Sequence, residues 1–100
     1  MAAQLPPRQP AWAVVDQTSL TWRVWDDGLV LYDDRTDEIY RFDAVTAAVF
    51  EELSAKPQGQ ADLARAVAER LMVLPDSELL ALVNDVLSIL RQKNIVAPSR

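Results

Sequence analysis

The chain has 100 residues, 50% of them hydrophobic and 25% charged, which fits one ordinary globular core and leaves no room for a separate cofactor domain. It contains neither cysteine nor histidine. Disulfides, thiolate zinc sites, cysteine nucleophiles and the commonest general base are thereby excluded, and we expect no enzyme, no metal and no cofactor. A net charge of −5 and a pI near 4.5 have the wrong sign for neutralising phosphates, so nucleic acid is not an expected partner.

Met1 to Arg8 carries no apolar run of the kind a signal peptide needs, and nothing later approaches the roughly 20 apolar residues of a membrane span. A cytoplasmic protein with no membrane partner is expected. Residues 1–18, with Pro6, Pro7 and Pro10, read as a partly ordered N-terminal tail that Trp12 pins to the core. The folded domain is expected over 19–97.

From Ser19 to Phe42 short aromatic and β-branched runs alternate with acidic turns, the pattern of strands. Thr21 to Trp25 and Leu29 to Tyr32 flank Asp26-Asp27-Gly28, which predicts a hairpin in which glycine accepts a positive φ. A second turn over Asp33 to Asp37 leads to Glu38-Ile39-Tyr40-Arg41-Phe42, giving a three-stranded antiparallel meander whose third strand is an edge. Asp43 is placed as the N-cap of a helix over Ala44 to Ala55, and Lys56-Pro57-Gln58-Gly59 ends that helix. A second helix spans Gln60 to Leu71. Asp76 caps the third and longest, Ser77 to about Lys93. Asn94 is a candidate for positive φ at its end, and Pro98 is expected to end the ordered chain.

The third helix bears eight aliphatic residues between Leu79 and Leu90 that cover about half its circumference, more than the stripe somewhat over 100° wide that one core requires. Beside the edge strand, this surplus makes a groove in which a foreign strand could bond to the backbone and bury side chains. The competing reading packs Leu82, Val86 and Ile89 inside the domain or in a homodimer, with Glu38 and Arg41 blunting the edge. Spacing alone leaves both open, and leaves open whether the 82/86/89 or the 80/87 flank is free.

Other chemistry fails on the residues. A calcium loop starting at Asp33 would place Arg35 and Glu38 where a ligand and a glycine belong. The acids of the turns are expected to be solvated rather than enclosed as a catalytic pair. The order of three strands then three helices suggests a winged helix, yet Ser77 to Leu90 offers Asn84 and no lysine or arginine to DNA.

The runs Trp25 to Asp33 and Glu38 to Phe50, with the helices beginning near Asp62 and Asp76 and the closing Asn94-Ile95-Val96, resemble the PqqD-like family over about residues 19 to 97. The version it most resembles is that of the HPr-rel-A system, in which the small domain accompanies a protein related to HPr kinase. The chain departs from that version's Gly-Asp-Thr-His-like turn, having Arg35-Thr36-Asp37-Glu38 instead.

The resemblance implies an α+β, winged-helix-like fold, a three-stranded antiparallel sheet followed by three α-helices. It also implies a non-catalytic chaperone, or precursor-recognition element, that docks the leader of a ribosomally made peptide and presents it to a modifying enzyme or to the HPr kinase-related protein. Carried onto this chain, the strand side of the peptide site is Glu38, Ile39, Tyr40, Arg41 and Phe42, and the helix side Leu79, Leu82, Val83, Val86 and Ile89. A structural or regulatory winged-helix protein-interaction subunit, a homodimer or transcription-regulator-like, is the alternative expectation.

Overall fold

The computed structural model describes residues 10–99. Three antiparallel strands, β2 (Leu20–Trp25), β3 (Gly28–Asp33) and β4 (Glu38–Asp43), form a meander in the order β2-β3-β4. Three helices follow: α1 (Ala44–Ala55), α2 (Gln60–Leu71) and α3 (Ser77–Gln92). The expected α+β architecture is the one observed. The expected third strand is β4, because an additional strand, β1 (Ala11–Val14), precedes the meander and pairs with a last strand, β5 (Val96–Ser99).

The helix boundaries follow from their caps. Asp43 accepts a hydrogen bond from the Thr46 N–H at 2.9 Å, and Asp76 accepts one from Leu79 N–H at 3.0 Å. Each carboxylate satisfies a first-turn donor that has no partner within its own helix. At the other end of α3, Asn94 sits at φ 59°, the left-handed conformation that asparagine tolerates better than most residues.

Gly28 corrects an expectation. The hairpin between β2 and β3 forms with Trp25 opposite Gly28, but the glycine does not have a positive φ, and neither do Asp26 and Asp27. A Cβ at position 28 would lie 2.2 Å from the Phe42 carbonyl oxygen. Glycine is needed there because β4 passes against it, not because the turn demands an unusual backbone.

Pro98 also departs from expectation, since it lies inside β5 opposite Trp12. The Trp12 N–H and C=O are both turned the other way, bonding Gln58 at 2.7 and 3.0 Å. That makes Trp12–Pro98 a pair without ladder hydrogen bonds, so the missing proline N–H costs nothing. β1 is therefore held on both sides, by β5 and by the loop before α2.

One face of the meander packs on the helices. Leu29, Leu31, Val49, Phe50, Leu53, Leu63, Val67, Val83, Leu87, Leu90, Ile95 and Val96 are fully buried. Trp22 meets Phe50 edge to face with ring centroids 4.8 Å apart, tying β2 to α1.

Two glycines give opposite expectations for stability. Gly28→Ala should lower the unfolding free energy by about 2 kcal/mol, the usual cost of forcing volume into a packed site. Gly59 caps α2 with an extended backbone, no side-chain bond and open space around it. Gly59→Ser should raise stability by about 0.5 kcal/mol by adding a cap, and urea titration of both variants checks the pair.

Candidate functional site

The candidate site begins with a strand that has one partner. β4 pairs with β3, and among the described residues nothing pairs with its other edge. The two-residue hairpin makes Trp25–Gly28 a hydrogen-bonded pair, so alternation turns the N–H and C=O of Leu29, Leu31 and Asp33 toward β4. Their partners are Phe42, Tyr40 and Glu38. By the same alternation the N–H and C=O of Ile39 and Arg41 point away from the sheet, into the open edge.

Side chains of β4 alternate across the two faces. Tyr40 and Phe42 share the core face with Leu31 and Leu29, are half-buried, and stack with centroids 5.7 Å apart and planes 12° from parallel. The Tyr40 hydroxyl donates to Glu38 at 3.0 Å. Burial, reinforced by the Glu38 carboxylate, raises the phenol's pKa above its ordinary value. Ile39 and Arg41 lie on the outer face, where Ile39 is 69% exposed. On that side a depression of about 390 Å³ opens between Trp25, Asp27, Gly28, Val30 and Arg41.

Of the helix residues singled out in the sequence, Leu79, Val83 and Val86 are core side chains, at most 7% exposed. Leu82 and Ile89 are 49% and 46% exposed. At about 100° per residue, Ile89 and Lys93 lie within about 20° of Leu82 around the helix. The Lys93 ammonium sits 4.9 Å from the centre of the Tyr40 ring, a cation–π contact that joins this flank to β4. Leu80 lies on the other flank, lining a depression with Ala61, Ala64 and Arg65 of α2. The flank carrying Leu82 and Ile89 is thus the one whose end is tied to β4.

A second link holds the two walls at this end. Asp33 is completely buried, and Arg35 donates to its two carboxylate oxygens from Nε and Nη2, each at 3.0 Å. The same Nη2 reaches the Asn94 carbonyl at 2.8 Å, crossing from the β3–β4 turn to the end of α3. The Arg35 guanidinium holds the Asp33 carboxyl below its ordinary value of 3.8, against the opposing effect of burial. The expectation that turn acids are solvated fails for this residue. Its alternation with Leu29 and Leu31 puts it on the core face, and that parity was the available clue.

Among the described residues no three acidic side chains converge as a metal site requires, and no helix is long and apolar enough to cross a membrane. No family model and no curated protein matches the sequence. A solved structure is similar in fold: TbiB1 in complex with the TbiA(beta) leader peptide, 18% identical, covering 88% of this chain and 98% of its own, with a TM-score of 0.69. At that identity the similarity is one of fold.

Arg35→Met would strand a buried carboxylate. We expect it to cost roughly 3 kcal/mol at pH 7, the low end for breaking a buried pair because Arg35 keeps one side in water. Because the Asp33 pKa is depressed in the fold, its contribution is present above the ordinary carboxyl value and is lost as pH falls below about 4. The gap between wild type and Arg35→Met should therefore narrow on acidification, measured by thermal unfolding at pH 7 and pH 3.

Proposed function

We propose that this chain is a PqqD-like peptide chaperone: it takes up the leader of a precursor peptide as a fourth strand along β4, against α3, and presents the rest to a separate modifying enzyme. The observation that carries this reading is the unpaired edge of β4 beside exposed Leu82 and Ile89. The fold is shared with a protein whose solved structure contains a leader peptide, which supports the same class of ligand here.

The energetics are adequate without catalytic groups. The outward N–H and C=O of Ile39 and Arg41 offer four hydrogen bonds, each worth about 1 kcal/mol net. Micromolar binding corresponds to about −8 kcal/mol. Two apolar anchors buried on Leu82 and Ile89, at about 1.5–3 kcal/mol each, supply much of the remainder before the cost of ordering the peptide. The peptide site in this reading comprises Glu38, Ile39, Tyr40, Arg41 and Phe42, with Leu82 and Ile89 in contact and Leu79, Val83 and Val86 supporting them from the core. Docking acts by proximity, raising the effective concentration of the tethered core peptide at the enzyme, whether a general modifying enzyme or a protein related to HPr kinase.

The test is titration of a synthetic leader from a precursor encoded beside this gene. Ile39→Pro removes one outward N–H and leaves the β3–β4 ladder intact, and should weaken binding at least tenfold. Leu82→Asp should do the same by charging the apolar wall. Arg65, exposed on α2 and paired among the described residues only with Asp62 at 3.6 Å, serves as control, and Arg65→Ala should bind as wild type does. Equal binding by all three variants, or an edge already closed by a second copy that the leader does not displace, would overturn the proposal.

A further inference from the structure

The open edge separates two surfaces of opposite charge, and a strand added there presents its side chains to both in turn. On the α3 side, the flank that meets β4 at Lys93 carries Glu78, Leu82, Asp85 and Ile89. Glu78 and Asp85 lie within about 60° of Leu82 around the helix. Both are exposed, and neither has an ion-pair partner among the described residues. Lys93 closes this flank at one end, where Glu38 on the same Tyr40 balances it. The unbalanced charge along the inner wall is negative.

The outer face carries the reverse. Arg23, Val30 and Arg41 are directly opposite one another across the three strands, forming a row with Ile39 and Tyr32 in the next. Strand spacing of about 4.8 Å puts Arg41 beside any added strand, with Arg23 about 10 Å further across. Neither arginine has a carboxylate within ion-pair distance among the described residues. The acids near this face lie at strand ends: Asp43 caps α1, Asp37 accepts from the Tyr32 hydroxyl, and Asp27 lines the depression beside Arg41.

We infer that the ligand is read by parity. Resting on the groove assignment above, the occupant is an extended peptide whose inward-facing positions are apolar or basic and whose outward-facing positions, opposite Ile39 and Arg41, are apolar or acidic. Successive residues of a strand point to opposite faces, so a base and an acid of the ligand are separated by an odd number of positions and like charges by an even number. This goes beyond strand addition, which is indifferent to side-chain charge, and it specifies a chemical class of leader.

The probe is a displayed library of random twelve-residue peptides panned on the full chain. Selected peptides should show basic residues at one parity and acidic residues at the other. Asp85→Lys should abolish the basic preference and leave the acidic one, and Arg41→Glu should do the reverse. Each reversal should weaken a peptide selected on wild type about fivefold, the scale of an exposed ion pair. Both sites are exposed and lack ion-pair partners among the described residues, so circular dichroism of the variants should match wild type. Peptides that depend on Ile39, as judged by Ile39→Pro, yet show no charge alternation, or change at the same parity in both variants, overturn this inference and leave the groove standing. Failure to enrich any peptide, or enrichment indifferent to Ile39→Pro, overturns the groove and the inference together.

Discussion

Arg35 joins the β3–β4 turn to the chain just beyond α3 through a charge that cannot be left unpaired. Its guanidinium neutralises a fully buried Asp33 at the end of β3 and reaches the backbone of Asn94 just beyond α3, 59 residues away. The β3–β4 turn is thereby fastened to the end of the last helix, and the Lys93–Tyr40 contact adds a second fastening one step along. With these in place the start of β4 and the end of α3 are at a fixed separation. The spacing of the two elements at this end is then set by the folded chain itself.

The helices and the meander were readable because each rests on local chemistry. Asp43 and Asp76 announce helix starts three residues before the amides they cap, and Asn94 marks a stop within one turn. Gly28 shows how a right element can have a wrong cause. Asp-Gly suggested a turn that needs positive φ, while the actual constraint comes from Phe42, fourteen positions away in a strand the turn does not join.

The features that escaped the sequence are those made by distant partners. β1 and β5 are short apolar runs near the two ends, and nothing local records that Val14 lies beside Val96. The free flank of α3 was undecidable from periodicity, because 82/86/89 and 80/87 have the same spacing logic. What favours the first is Lys93, a polar residue at the helix end, meeting an aromatic ring on another element. The candidate site was visible as a surplus of apolar residues, but Leu79, Val83 and Val86 proved to belong to the interior, and the exposed share reduced to Leu82 and Ile89 on that flank.

The pairing of Ala11 with Ser99 has a consequence for how this unit can be joined to others. Directly opposed residues of an antiparallel ladder have Cα atoms about 5 Å apart, so the two ends of the described chain leave the molecule side by side. A host polypeptide could accommodate the whole unit as an insertion within one of its surface turns without opening its own backbone, and a short loop bridging 99 to 11 would allow new termini to be cut elsewhere. The open edge of β4 lies in a different sheet from that exit, so either kind of fusion would join the chain away from it.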